Sequence, residues 1–389
     1  MSATLFRVDS HFGSSGKTFP EVCASIWLMK VRRHIAKSLL PGISLAIFAV
    51  TLIRGHARNG REKADPQLGY KLAEGPYAVD TFDQTLHDSG RNKDLPVRIL
   101  VPTSGGPFPL IVFSHGAGGS GQNYFPLTHH WATHGYVIIQ PTHNDSIALR
   151  RERGDALPGN ARELAEDYRN NPEDWANRVR DITLVLDSLN DLQKRLPQLK
   201  GKIDQKRIGV GGHSYGAYTT QMIGGALLDI PNGAKGQSFR DDRPRALLLL
   251  SPQGKTQNGL TEDSWKKMTR PMMVMTGSND RGLMGQPVSW RTEPFTYSPA
   301  GEKYLVFIDG AFHMSFTGML TQPNNRLSNR PLLARMIAQT DQKAVFDYVK
   351  IGSIAFWDAY LKDDAKAKSY LKSESLVQYS NKSVKLDRK

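Results

Sequence analysis

Short, continuous apolar runs separated by segments of helical spacing constrain the fold of this chain more than any other feature. An apolar run of about four to eight residues between turn residues is typical of a strand that is buried on both faces of a sheet. Strands that alternate with helices predict βαβ units, so we expect an α/β fold with a mostly parallel sheet and ligands at the carboxyl ends of its strands. The predicted strands are Val97–Val101, Leu110–Phe113, Tyr136–Gln140, Arg207–Gly211, Ala246–Leu250, Met272–Met275 and Tyr304–Ile308.

Helical segments and insertions complete this plan. From Val179 to Leu196 apolar residues recur at intervals of three and four, which predicts one apolar helix face. Asp341–Leu361 has a similar pattern and is expected to form a closing helix against the sheet. The polar, helix-prone Ser146–Trp175 and the loop Gly233–Arg243 are predicted insertions. We expect a single domain over residues 58–389 that ends in a solvated tail of about a dozen residues.

The N-terminal segment has the order of a secretory signal peptide. The basic stretch Lys30–Lys37 precedes Ser38–Ile53, which is sixteen residues long and carries no charge, and the small residues Gly55 and Ala57 follow. We therefore expect residues 1–57 to be an extension and signal peptide, with export to the periplasm or the exterior after cleavage near Ala57. An uncleaved membrane anchor is the alternative, although a spanning helix needs about 20 apolar residues.

Composition excludes several classes of protein. The single cysteine, Cys23, rules out a disulfide framework and a cysteine-based zinc site. His130 and His134 are four residues apart but lack the glutamate of an H-E-x-x-H motif, so the residues imply no metal and no organic cofactor. The net charge of +14 is spread along the chain without interleaved aromatic residues, which argues against nucleic acid as a partner. The charge is compatible with peripheral contact with an anionic membrane.

The strongest motif is Gly212-His213-Ser214-Tyr215-Gly216, which lies directly between an apolar run and a helix-prone segment. In this context G-x-S-x-G places a serine on a tight strand-to-helix turn, with its hydroxyl above the sheet. The N-terminus of the following helix favours developing negative charge. We therefore predict that Ser214 is a nucleophile.

A nucleophilic serine needs a base, and the base needs an orienting carboxylate. In this architecture the chain order is serine, acid, histidine, with each residue following a later strand. His313 is the only histidine after Ser214, so it is the predicted base. Asp280 follows the strand candidate Met272–Met275 and is the predicted acid, although a turn-forming role would also explain it. Asp309 is the alternative acid.

A glycine-rich loop, Gly116–Gly121, follows an early strand candidate, where acyl-transfer enzymes place donors for the oxyanion. We expect the backbone amides of Ala117 and Tyr215 to be these donors. The loop also matches the dinucleotide pattern G-x-G-x-x-G, but the next strand does not end in the acidic residue which that site requires. His143 and Asp145 follow that next strand and either line the mouth of a pocket or belong to an ordinary polar loop.

Together these motifs resemble those of the α/β-hydrolase superfamily. Within it, the chain is similar over about Tyr77–Leu371 to bacterial esterases described as dienelactone-hydrolase-like and platelet-activating-factor-acetylhydrolase-like. The resemblance implies a mostly parallel, eight-stranded sheet with helices on both faces and a helical insertion. It assigns the nucleophile, acid, base and two oxyanion donors to Ser214, Asp280, His313, Ala117 and Tyr215, respectively.

The expected function is that of a serine hydrolase that cleaves small-acyl or lipid-like carboxylic esters through an acyl-enzyme on Ser214. True dienelactone hydrolases use a cysteine at this position, which argues against that substrate. The segment after His313 also lacks the aspartate that acetylhydrolases usually carry after Phe316. A peptidase or acyltransferase with the same residues, or a non-catalytic binding protein on the same fold, is the alternative.

Overall fold

The structure is a computed structural model that describes residues 68–389 apart from 171, 232 and 322–339. Nine strands form one sheet in a mixed order, and two strands of two residues each pair separately. In chain order the strands are β1 (Val79–Asp88), β2 (Lys93–Pro102), β3 (Phe108–Ser114), β4 (Val137–Pro141), β5 (Ile203–His213), β6 (Leu227–Leu228), β7 (Gln237–Ser238), β8 (Pro244–Leu250), β9 (Met272–Gly277), β10 (Lys303–Ile308) and β11 (Val384–Arg388).

The order across the large sheet is β1-β2-β4-β3-β5-β8-β9-β10-β11. The six strands from β4 to β10 in this order run parallel, and antiparallel pairs join β1, β2 and β11 at the edges. All seven strands expected from the apolar runs are present, so the predicted α/β-hydrolase fold with a mostly parallel sheet is confirmed. The sheet has nine strands where eight were expected.

The C-terminal segment is the main departure from the expected fold. The prediction of a solvated tail is wrong, because Val384–Arg388 forms β11 and pairs with β10 along the edge of the sheet. Val384 and Leu386 are buried, whereas Lys385 and Asp387, which alternate with them, are exposed. This alternation is the pattern of an edge strand with one covered face, which differs from the continuous apolar runs of the central strands.

The helices lie on both faces of the sheet. The long C-terminal helix confirms the prediction for Asp341–Leu361, and the Asp341 carboxylate caps it by accepting a hydrogen bond from the Ala344 amide at 3.0 Å. The apolar face predicted from Val179 to Leu196 is divided between two helices at Ser188. In chain order the helices are α1 (Phe125–Thr133), α2 (Ile147–Arg153), α3 (Ala161–Asn170), α4 (Pro172–Asp187), α5 (Leu189–Arg195), α6 (Tyr215–Gly224), α7 (Glu293–Tyr297), α8 (Gln342–Leu361), α9 (Ala365–Lys372) and α10 (Ser375–Tyr379).

Each face of the sheet buries its own hydrophobic core. Leu110 and Val112 of β3 pack into the core that includes α4, α5 and α6, whereas Ile111 and Phe113 pack into the core that includes α1 and α8. Successive residues of a strand point to opposite faces, so a strand covered on both sides is apolar throughout. This double coverage explains why the central strands appear in the sequence as continuous apolar runs.

The predicted insertion Ser146–Trp175 contains α2, α3 and the start of α4. The Gly233–Arg243 loop contains only the two-residue strand β7. The predictions for the signal peptide, the membrane anchor and cleavage near Ala57 concern residues that lie outside the described part of the chain. Among the residues that the structure describes, no helix combines the length and the apolar character needed to cross a bilayer.

Candidate active site

Ser214 lies between β5 and α6, at the carboxyl end of the central sheet. Its backbone has φ 55° and ψ −120°, a conformation that costs free energy for a residue with a side chain. The turn closes tightly because a Cβ at Gly216 would overlap the carbonyl oxygen of Ser114, and a Cβ at Gly212 would overlap the backbone of Gly216. The two glycines of the motif are therefore required by close backbone approach, as the sequence suggested.

The structure brings the three residues of the predicted triad together. The Ser214 hydroxyl oxygen lies 3.0 Å from Nε2 of His313, and Nδ1 of His313 lies 3.1 Å from Oδ1 of Asp280. A carboxylate only accepts hydrogen bonds, so Nδ1 carries the proton and Nε2 is free to accept one from Ser214. The arrangement has the hydrogen-bond order that a serine nucleophile and its base require.

Loops after two neighbouring strands place the acid and the base. Asp280 sits in a tight turn after β9, where its amide donates to the Gly277 carbonyl at 3.0 Å. His313 begins a short 3-10 turn after β10. Asp309, the alternative acid, is exposed at the surface and its Oδ1 accepts a hydrogen bond from the Ser278 hydroxyl at 2.8 Å. Asp280 is therefore the carboxylate that the fold presents to His313.

The charges in the site favour an ionised acid and a neutral base. Burial alone would raise the pKa of Asp280, but the Arg291 guanidinium and the hydrogen bond from His313 hold this pKa below its usual range. Burial lowers the pKa of His313 below its ordinary value, and this effect exceeds the raising effect of Asp280. A neutral imidazole at neutral pH is the form that accepts the serine proton.

Three residues that the sequence analysis did not assign to the site also contact the acid. The Thr276 hydroxyl of β9 donates to Oδ2 of Asp280 at 2.9 Å. The Ser251 hydroxyl donates to Oδ1 of Asp280 at 2.9 Å and lies 2.7 Å from Nδ1 of His313. The buried Arg291 places Nε 3.3 Å from the same carboxylate oxygen. The position of Ser251 directly after β8 was a usable signal, since three other site residues also follow strands. No local pattern marked Arg291.

The predicted oxyanion donors lie after adjacent strands. Ala117 is in the turn after β3, and Tyr215 is the first residue of α6 after β5. The strands β3 and β5 pair up to their ends, with Ser114 opposite Gly212. The amide of a first helical residue has no acceptor within its helix. Within the described chain, the amide of Ala117 has no protein acceptor either, so both are available to a ligand.

The loop after β3 (His115–Gly121), called the oxyanion loop here for its predicted role, is connected to the predicted base His313 by one chain of hydrogen bonds. The Gly116 amide donates to the Tyr124 hydroxyl at 3.0 Å, and this hydroxyl lies 2.9 Å from Nδ1 of His213. Nε2 of His213 donates to the backbone carbonyl of His313 at 2.8 Å. The residue before the nucleophile thus ties the loop after β3 to the loop after β10.

The described histidines outside the predicted triad have other contacts. His130 is buried in α1, with its ring 4.7 Å from that of His134. Among the described residues no group of three or more His, Cys, Asp or Glu side chains has the arrangement of a metal site. His143 is fully buried and therefore does not line a pocket mouth, whereas the Asp145 side chain is 9% exposed. His143 instead bonds to Ser114 and Asp181, at 2.8 and 2.9 Å.

Comparisons with known proteins agree with this architecture. The family model for chlorophyllase matches residues 70–155. A platelet-activating factor acetylhydrolase from Cavia porcellus is 22% identical over 279 residues, which cover 66% of this chain and 58% of the relative. The corresponding protein from Bos taurus is 27% identical over 249 residues, which cover 55% of this chain and 49% of the relative.

The chain therefore spans about half the length of the curated relatives that it matches. The matched residues 70–155 include β1 to β4 and the oxyanion loop. The fold and these matches confirm the resemblance that the motifs indicated: the chain is similar to the α/β-hydrolase esterases of the platelet-activating-factor-acetylhydrolase-like group.

Proposed function

We propose that this protein is a serine hydrolase that cleaves carboxylic esters through an acyl-enzyme on Ser214. The observation that carries the proposal is the unbroken hydrogen-bond order from Ser214 through His313 to Asp280, with distances of 3.0 and 3.1 Å. The names of the relatives, which are acetylhydrolases, support an ester as the substrate class.

In the first half-reaction Ser214 Oγ attacks the ester carbonyl carbon while Nε2 of His313 takes the hydroxyl proton. The carbonyl oxygen becomes an oxyanion, which the amides of Ala117 and Tyr215 stabilise, each by about 2.7–4 kcal/mol. The intermediate then expels the alcohol, which receives the proton from His313. Ser214 is left carrying the acyl group as an ester.

In the second half-reaction water attacks the acyl carbon while His313 takes its proton. Collapse of the second tetrahedral intermediate returns the proton to Ser214 and releases the carboxylic acid. Asp280 keeps the His313 ring in the required tautomer and stabilises the imidazolium of each step. The Ser251 hydroxyl donates at 2.9 Å to Oδ1 of Asp280, the same oxygen that accepts from His313. This hydrogen bond restricts rotation of the Asp280 carboxylate.

The insertion supports a small acyl group as the preferred substrate. Tyr168 of α3 stacks on Tyr215, with ring centroids 4.7 Å apart and an angle of 22° between the planes. The insertion therefore packs against the side chain of the residue whose amide is the second proposed oxyanion donor. An insertion that stays in this position would restrict the length of the group that fits beside Ser214, whereas one that opens would admit lipid-like chains.

Hydrolysis of p-nitrophenyl esters from acetate to palmitate, by the full chain and by a Ser214→Ala variant, tests the proposal. We expect serine-dependent activity that falls beyond butyrate. Activity that rises with chain length would indicate a lipid ester and an opening insertion. Full activity in Ser214→Ala would exclude the mechanism, and absence of turnover with labelling by a fluorophosphonate would favour an amide or acyl-transfer substrate.

We also propose export directed by residues 30–57. The basic stretch, the uncharged stretch and the small residues before Ala57 support this proposal. Expression of the full chain in a bacterium, followed by fractionation and N-terminal sequencing, tests it. A periplasmic product that begins near Arg58 is expected. An intact chain in the membrane fraction would support the anchor instead.

A further inference from the structure

Arg178 of α4 is a buried arginine that the mechanism above does not use. Its side chain is 2% exposed and forms a two-pronged ion pair with Asp145, with Nε 2.9 Å from Oδ1 and Nη2 2.8 Å from Oδ2. Nη1 also donates to the His115 carbonyl at 2.7 Å, and Nη2 donates to the Gly116 carbonyl at 3.3 Å. The guanidinium therefore binds the backbone of the oxyanion loop.

The Gly116 carbonyl belongs to the same peptide group as the Ala117 amide. In a trans peptide the C=O and the N–H point in opposite directions, so fixing the oxygen also fixes the direction of the N–H. Nδ1 of His115 lies 2.6 Å from this oxygen and donates to it, since a carbonyl only accepts. Three donors thus hold the Gly116 oxygen on the protein side: the buried side chains of Arg178 and His115, and the Gly119 amide at 3.1 Å within the turn itself. They turn the Ala117 N–H away from the protein side.

The next part of the loop is held by the other member of the ion pair. Oδ2 of Asp145 accepts a hydrogen bond from the Gly118 amide at 3.0 Å. The loop is therefore attached to the ion pair immediately before and immediately after Ala117. The Ala117 amide itself donates to no acceptor in the described chain.

Arg178 also contacts the second predicted donor residue. Its guanidinium carbon lies 4.3 Å from the centroid of the Tyr215 ring, within the range of a cation–π interaction. Arg178 thus contacts both sides of the oxyanion position. On one side it binds the Gly116 carbonyl, and on the other it packs against the Tyr215 ring. An arginine suits this role because its planar fork donates in several fixed directions, whereas a lysine presents one point charge.

We propose that Arg178, paired with Asp145, is a positioning residue that aims the Ala117 amide at the oxyanion of the transition state. The proposal rests on the hydrolase function proposed above. It predicts a defect in transition-state stabilisation, because substrate binds in the ground state before the negative charge has formed. A residue that only stabilises the fold would not produce that pattern.

The test is a comparison of Arg178→Lys with the wild-type full chain on p-nitrophenyl acetate. We expect kcat to fall by about 100-fold with a nearly unchanged KM, since loss of an oxyanion donor has an effect of this size. The Ki of a trifluoromethyl ketone, which forms an oxyanion on the serine, should rise by a similar factor. The acid limb of the pH profile should stay in place, because His313 is not contacted by Arg178 in the described structure.

The double variant Arg178→Gln/Asp145→Asn removes both charges and avoids leaving one buried ion unpaired. It should show the same fall in kcat and the same rise in Ki, provided that circular dichroism shows a folded protein. The matched control is Asp358→Asn, which weakens another buried ionic cluster, with Lys71 and Lys362. This control should lose stability and keep its kcat and its Ki.

Wild-type kcat and Ki in a folded Arg178→Lys protein would overturn the proposal. A fall in kcat without a rise in Ki would overturn it too, because the defect would then lie outside the oxyanion position. If the wild-type protein hydrolyses the ester and Ser214→Ala does not, the proposed function holds whatever the Arg178 variants show. A wild-type protein without serine-dependent turnover would overturn both proposals.

Discussion

Two relays with the same chemical order, serine to histidine to aspartate, lie in this molecule. In the candidate active site the distances are 3.0 Å from Ser214 to His313 and 3.1 Å from His313 to Asp280. The second relay joins Ser114, His143 and Asp181, with distances of 2.8 and 2.9 Å. In both, the histidine donates from Nδ1 to a carboxylate, and its Nε2 accepts a hydrogen bond from the serine hydroxyl.

The two relays differ in the solvent exposure of the histidine and in the backbone conformation of the serine. The His313 side chain is 32% exposed, whereas those of His143 and Asp181 are 0% and 1% exposed. Ser214 has a positive φ on a tight turn before a helix, while Ser114 is the last residue of the regular strand β3. A hydrogen-bond relay is therefore insufficient for a reactive serine, which also needs a route for substrate and free amides that face the oxyanion.

The buried relay forms hydrogen bonds with Arg178 and with His115, the first residue of the loop after β3. The Ser114 hydroxyl accepts a hydrogen bond from Arg178 at 3.3 Å, and the His143 amide donates to Nε2 of His115 at 3.0 Å. Asp181 is further neutralised by Arg91 and Lys93, each 2.8 Å away. We therefore interpret this relay as part of the fold, and the comparison between the relays can be tested residue by residue.

The largest expected difference is between the two serines. Ser214→Ala should lower kcat by about 10⁴-fold or more, since loss of a triad nucleophile has an effect of this order. Ser114→Ala should keep most of the turnover and cost about 1–3 kcal/mol of unfolding free energy, because Nε2 of His143 loses its donor. Esterase rates and urea unfolding of both variants provide the measurement. Equal losses of activity would show that the comparison is wrong.

The two aspartates should separate activity from stability. Asp280→Asn should lower kcat by about 10⁴-fold, because an amide favours the wrong tautomer of His313. Asp181→Asn should lower the unfolding free energy by about 3–5 kcal/mol, since the partners of a buried charge are left uncompensated. The measurement is kcat together with the melting temperature. If Asp181→Asn loses activity as Asp280→Asn does while staying folded, the buried relay has a catalytic role.

The buried histidine should make stability depend on pH. Burial lowers the pKa of His143 from its ordinary value of about 6.5 to about 4. At pH values between these two, His143 is protonated in the unfolded chain and neutral in the folded chain. Stability is then lost as the pH falls. His143 accounts for about 2 kcal/mol of the unfolding free energy that is lost between pH 7 and pH 5. His143→Gln should reduce that pH-dependent loss in urea unfolding by the same amount, and an unchanged pH slope would contradict the assignment.

The smallest expected effect concerns Arg291, whose charge lies beside the proposed catalytic acid, Asp280. Arg291 lowers the pKa of His313, although burial is the larger cause. Arg291→Gln should therefore raise the pKa of His313 and move the acid limb of kcat/KM to higher pH, with a severalfold loss of activity below neutral pH. The rate well above this limb should change little. A limb that stays in place would show that Arg291 has no electrostatic effect on the pKa of His313, and a limb that moves to lower pH would show an effect of the opposite sign.

Much of the site could be predicted because its signals are local. The glycines around Ser214 indicate a tight turn whatever surrounds it, and strand-ending positions mark Asp280 before any packing is known. His313 was identified because no other histidine follows Ser214. The edge strand β11 was missed because its alternating residues resemble a polar tail when the sheet beside them is unknown.

The sequence by itself determined the strands covered on both faces, the strand-to-helix turn at Ser214 and the chain order of Ser214, Asp280 and His313, the proposed nucleophile, acid and base. These follow from side-chain periodicity and from backbone conformations that span a few residues. Only the tertiary structure decided that Ser114 and His143 are buried and that Arg178, 64 positions away from Ser114, holds the oxyanion loop. Such contacts depend on how α4 packs against β3, and no short segment of the chain encodes that distance.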